Sequence, residues 1–125
     1  MNDLALAHAL ADRAAEVALG YFRRETRSRL KADGTPVGEA DMAVEKVLLE
    51  SLADARPGDA VLSEESGTRG ASARRWIVDP IDGTVPFLAG DPEWGTHVVL
   101  EVSGEIVIGV VTRPALDRRY WAQRG

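Results

Sequence analysis

The chain has 125 residues, a net charge of −5 and no cysteine. That length makes one domain, residues 1–125, with room for a core. The acidic balance argues against a broad nucleic-acid surface, and the absence of thiols excludes disulfides and thiolate metal sites. No apolar run approaches the ~20 residues of a membrane span, so no membrane partner is expected. The opening MNDLALAHALADRAAE carries early acids and no basic stretch, so a signal peptide is not expected and the expected location is cytoplasmic.

Residues 2–25 read as an amphipathic helix, with Leu4, Ala7, Leu10, Ala11, Ala14, Val17, Ala18, Tyr21 and Phe22 recurring at threes and fours. TRSRLKADGTPVGEAD follows as a short hairpin or extended loop turning near Asp33–Gly34. A second helix is expected over Asp41–Ala55, with Val44, Val47, Leu48 and Leu52 on one face, stopped by RPGD. AVLS is a short strand that leads into EES, and GTRGASAR reads as a surface loop. Trp76–Asp79 is the next strand, and residues 82–89 form a short helix or turn. Thr96–Val102 and Ile106–Thr112 make a hairpin across SGE, expected at the centre of the sheet. RRYWAQ begins another strand, with no following element in sequence for Tyr120 and Trp121 to pack against. The order gives an α+β fold, two N-terminal helices on a mostly antiparallel sheet.

Chemistry concentrates where strands end. In WIVDPIDGT, Asp79 and Asp82 flank a proline and an isoleucine just before a glycine. Like charges so close raise each other's pKa and cost energy unless a cation lies between them. A second acidic cluster, SEESG at Ser63–Gly67, also follows a strand. If the two strands are sheet neighbours, Glu64, Asp79 and Asp82 converge at one edge. Three carboxylates without histidine or cysteine suit Mg²⁺, Mn²⁺ or Ca²⁺ rather than Zn²⁺, and the Ile81 carbonyl could add an oxygen. The Gly83–Thr84 amides would form an anion site if a helix begins there. Against this, an Asp before Gly is often only a turn former, EES alone a solvated loop, and the second DGT at Asp33–Thr35 a plain turn.

WIVDPIDGT with Phe87, LSEESG, KADGTPVGEAD and GVVTRPALDRRYWAQRG together resemble the inositol monophosphatase family, over essentially the whole chain. RRWIVDPIDGT and PALDRRYWAQRG are most similar to the actinobacterial-type histidinol-phosphate phosphatases. The resemblance implies the N-terminal half of that family's αβαβα sandwich. It implies that Glu64, Asp79 and the Ile81 carbonyl hold one Mg²⁺ (Mn²⁺ as an alternative), that Asp79 and Asp82 hold a second, and that Glu64 helps bind a third. Thr84 with Asp41 would position and deprotonate the attacking water. The Gly83 and Thr84 amides, beside Asp82, would bind the substrate phosphate, and Lys31 matches a lysine near the water network. The implied reaction is in-line attack of water on a phosphomonoester, with metals stabilising the charge on the attacking and leaving oxygens.

The residues also admit plainer roles. Asp41 reads equally as a cap of the second helix, and Lys31 as a hairpin lysine. His97 reads as structural and His8 as surface. Trp76, Trp94 and Trp121 read as core or edge aromatics, although the family makes Trp94 a candidate dimer or substrate-side residue. Three features depart from the family pattern. Pro86 stands where Asn is usual, Gly38 where Thr is usual, and members are about twice as long, their second half supplying another metal-binding Asp and most of the pocket. The expected function is Mg²⁺-dependent hydrolysis of histidinol phosphate, with inositol monophosphate or another small phosphomonoester as alternatives. A non-catalytic remnant that binds metal or pairs with a partner is the alternative of another class. A homodimer is expected, because the sheet face bearing Val99, Val107 and Val111 is apolar too.

Overall fold

A computed structural model describes residues 1–24, 28–30 and 36–125. The first helix, α1 (Asp3–Tyr21), is opened by Asn2, whose side-chain oxygen accepts the Ala5 N–H at 2.8 Å. Its buried stripe is Leu6, Ala7, Leu10, Ala11, Ala14 and Ala18. Four alanines on one face let the helix lie close to its neighbours. The helix ends short of residue 25 because Phe22 turns out in an extended conformation and packs on Phe87 and Trp94, with ring centroids 5.5 and 5.2 Å away. Arg23 then covers the Phe22 ring at 4.9 Å and donates to the Gly90 carbonyl.

The hairpin anticipated next is present as β1 (Ser28–Leu30) and β2 (Pro36–Gly38), paired antiparallel. Its turn, with Lys31 and the Asp33–Gly34 pair, lies outside the described residues. The second helix, α2 (Glu39–Ala55), starts two residues before the expected Asp41. Gly38 is the cap, and Asp41 reaches back from the first turn to accept its N–H at 3.0 Å. Leu49, rather than Val47, joins Val44, Leu48 and Leu52 on the buried face.

One six-stranded sheet follows: β3 (Ala60–Ser63), β4 (Gly67–Arg69), β5 (Arg74–Asp82), β6 (Gly95–Val102), β7 (Glu105–Arg113) and β8 (Arg118–Gln123). Its order is β4-β3-β5-β6-β7-β8, with only β3–β5 parallel. The surface loop expected at GTRGASAR is in part a strand: β4 pairs back on β3 as an edge. β5 is longer at both ends than Trp76–Asp79, since tertiary pairing with β6 extends it. The centre of the sheet is therefore β5–β6, not the β6–β7 hairpin. That hairpin is closed by Ser103 and Gly104, both at positive φ, 51° and 82°, the geometry of a tight turn matched to strand twist.

Alternation along the strands sends Trp76, Val78, Val98, Leu100, Ile108 and Val110 into the core beneath α1 and α2. Ile77, Val99 and Val111 face the other way and are half-buried, while Val107 also packs in part against the core. Every residue of β8 is exposed, Tyr120 at 58% and Trp121 at 56%. His8 is not a bare surface residue, because Trp121 meets its ring edge-on at 5.4 Å and Arg119 lies 3.1 Å from its Nδ1.

Charged groups tie the layers together away from the site. Asp3 of α1 accepts from Arg56 at the end of α2 and from Arg74 at the start of β5. Arg74 also bonds Asp59, which accepts the Trp76 indole N–H at 2.9 Å. The two guanidinium groups hold the Asp3 carboxyl below its ordinary range against the opposing effect of burial.

Candidate active site

Parallel pairing of β3 with β5 aligns Ser63 with Val78, so both strands end at the same lip of the sheet. The next residues, Glu64 and Asp79, emerge there side by side. The Glu64 amide reaches the Val78 carbonyl at 3.4 Å, and the Glu64 carboxyl comes close enough to act on that of Asp79. Ser63, buried and donating to Glu45 of α2 at 2.8 Å, anchors the start of this acidic turn. Burial first, then the charge of Glu64 and more weakly those of Asp82 and Glu65, pushes Asp79 up to about 7. Glu64 and Asp79 thus meet at this lip, and Asp82 is near enough for its charge to act on Asp79.

Beyond Asp79 the strand breaks register, and the β5–β6 pairing resumes only at Asp82. Thr96 donates to the Pro80 carbonyl at 2.8 Å, which fixes the irregular stretch, and Ile81 turns into the core. Gly83 takes φ +92°, where a β-carbon would sit 3.0 Å from the Glu93 carbonyl, so the position requires glycine. Thr84 then opens α3 (Thr84–Leu88), a single turn. Pro86 fits its first turn, where no intrahelical acceptor awaits an N–H, and its own carbonyl accepts from Ala89 and Asp91.

Thr84 Oγ1 donates to Asp41 Oδ1 at 2.8 Å and lies 3.4 Å from the Ile81 carbonyl. Asp41 is fully buried and its other oxygen takes the Gly38 N–H. It is both the helix cap and the partner of Thr84, so the two readings left open by the sequence are one arrangement. Gly38 makes room for it: a β-carbon there would come within 3.2 Å of Asp41 Oδ2.

Two basic residues not singled out from the sequence as site residues stand beside Asp82. His97 Nε2 lies 3.4 Å and an Arg113 guanidinium nitrogen 4.0 Å from Asp82 Oδ2. Strand alternation alone placed His97 on a face; only the pairing of His97 with Asp79 shows that this face carries the acids. Trp94 is a core aromatic within this chain. It is wholly buried, in ring contact with both Phe22 and Phe87, which also touch each other. Lys31 lies outside the described residues.

The donors fit a hard divalent cation. They are all oxygen, and Asp79 sits among negative neighbours that a cation would relieve. Among the described residues no three acidic or imidazole side chains close around one point.

The inositol monophosphatase family model matches residues 2–125. The chain belongs to the inositol monophosphatase family. It is 48% identical over 99% of its length to the histidinol-phosphatase of Mycobacterium tuberculosis, covering 48% of that protein. It is 56% identical, again over 99%, to a Streptomyces griseus protein named glucose-1-phosphate thymidylyltransferase, covering 49% of it. Among solved structures, the extragenic suppressor protein suhB of Bartonella henselae superposes with a TM-score of 0.91 at 34% identity, over 97% of this chain and 48% of that one. The family fold expected from the motifs is the fold observed. The chain spans about half the length of the curated relatives it matches.

Proposed function

We propose that this chain carries the water-activating and cation-binding part of a phosphomonoesterase site, with histidinol phosphate as substrate and Mg²⁺ as the ion. The observation that carries the reading is the 2.8 Å hydrogen bond from Thr84 to buried Asp41, set beside the Glu64–Asp79 pair. Asp41 fixes the Thr84 hydroxyl so that its proton points at the carboxylate. The hydroxyl oxygen is then free to accept a hydrogen bond from a water, orient it, and pass a proton on to Asp41. The Gly83 and Thr84 amides, at the start of α3, would take the phosphate oxygens. Glu64, Asp79, Asp82 and the Ile81 carbonyl would hold the cation, Mg²⁺ or Mn²⁺. When bound, it supplies positive charge against the charge that builds on the attacking and leaving oxygens. A P–O bond to water forms as the ester P–O bond breaks, giving inorganic phosphate and the free alcohol. A place in histidine biosynthesis, a cytoplasmic setting and a homodimer belong to the same reading.

The 48% identity to a histidinol-phosphatase supports that substrate. The name of the 56% identical relative favours a second one, a sugar 1-phosphate. The test joins residues 1–125 to the second half of the Mycobacterium relative and measures phosphate release with Mg²⁺. Histidinol phosphate, inositol 1-phosphate and glucose 1-phosphate are compared. Release from histidinol phosphate, abolished by Asp82→Asn, is expected. Preference for another ester overturns the substrate, and no release from any supports the non-catalytic remnant.

A further inference from the structure

Asp79 and Asp82 stand three residues apart in sequence but in opposite electrostatic surroundings. Asp79 is crowded by acids, whereas Asp82 is met by two basic groups from two different strands. The chain is built to allow this. Gly95, paired with Asp82 across β5–β6, lies so close to β7 that a β-carbon on it would sit 1.9 Å from the Thr112 carbonyl and 3.5 Å from Cδ of Arg113. The absent side chain is what lets β7 pack this close to β6 at Thr112, the residue before Arg113. His97, two residues on, shares the face of its pairing partner Asp79. Both basic groups make their nearest approach to the same oxygen, Oδ2, at 3.4 and 4.0 Å.

We propose that His97 and Arg113 are positioning residues for Asp82: they hold Oδ2 and so reserve Oδ1 for a divalent cation. The inference rests on the reading of Asp82 as a cation ligand. Partners behind a ligand that fix its orientation commonly matter 10–100-fold for metal affinity. A bystander role makes the opposite prediction. By charge alone, deleting a guanidinium about 4 Å from the carboxylate strengthens cation binding. The direction of the change therefore separates positioning from mere proximity.

The experiment is a Mn²⁺ titration of the chain, with free Mn²⁺ read by electron paramagnetic resonance. His97→Leu and Arg113→Met are each expected to weaken binding about tenfold or more, and His97→Gln, which keeps an N–H donor, to recover most of the loss. In an Asp82→Asn background His97→Leu should change nothing further. Unchanged or tighter binding in His97→Leu and Arg113→Met overturns the proposal, as does an equal loss in the Asp82→Asn background. If His97→Leu does not fold, Arg113→Met and His97→Gln decide the matter by the same criteria. A wild-type chain that binds no Mn²⁺ overturns the cation site itself and this proposal with it. Wild-type binding that the variants leave intact overturns only the role of His97 and Arg113.

Discussion

Asp79 is held in a place where its charge is costly. Its pKa of about 7 in the folded chain compares with an ordinary 3.8, so between those values the folded chain keeps a proton that the unfolded chain has lost. Stability from this group is therefore fully present below about pH 4 and declines as pH rises to 7. Without metal, the chain should melt at a higher temperature at pH 5.5 than at pH 7.5, and Asp79→Asn should flatten that slope and raise the melting point at pH 7.5. A wild type whose melting point rises with pH over this window contradicts the account. Asp3 leaves the window clean, since its lowered pKa acts only at more acid pH. Asp41 is a fully buried carboxyl group whose oxygens are both engaged. Asp41→Ala strands the Gly38 N–H and the Thr84 hydroxyl and should cost about 2–4 kcal/mol in urea unfolding. A loss below about 0.5 kcal/mol would place those bonds elsewhere.

At the scale of elements, periodicity revealed the helices and the β6–β7 hairpin, and the acid motifs marked where β3 and β5 stop. What it did not reveal came from contacts distant in sequence. Phe22 leaves α1 because Phe87 and Trp94 lie under it, and nothing in GYFRRE announces that. The short strand β4 exists only because β3 offers it an edge, since its three residues are all exposed and carry no apolar alternation. Likewise Glu64, Asp79, Asp82, Asp41 and Thr84 were each legible from motif and resemblance. His97, Arg113 and the Ser63–Glu45 bond depend on strand register and helix packing that a single sequence does not display. Gly95 shows how tight that register is. Gly95→Ala must push β7 away from β6 at Thr112, so it should destabilise the chain by about 3 kcal/mol or more, with exchange of the β6–β7 amides the first to accelerate. A neutral effect on melting would mean that the strands are farther apart than described.

Over the whole molecule, one face of the sheet is sealed by α1 and α2, and the other carries half-buried Ile77, Val99 and Val111 next to exposed Tyr120. Apolar surface of that kind favours association. Light scattering is expected to show dimers or larger species at high concentration, reduced by Val99→Lys, and a monodisperse monomer would contradict this. The acids of the site crop out at one end of this same sheet, where β3 and β5 run parallel and stop together. That topology puts Glu64 beside Asp79, and the central claim is that the place so made is a cation site. Isothermal calorimetry of Mn²⁺ with wild type and Asp79→Asn at pH 7.5 tests it most directly. The account predicts binding by wild type, with Asp79→Asn weaker by about tenfold or more, as expected when a charged ligand is lost. Equal binding by the two proteins, or none by wild type, would contradict it.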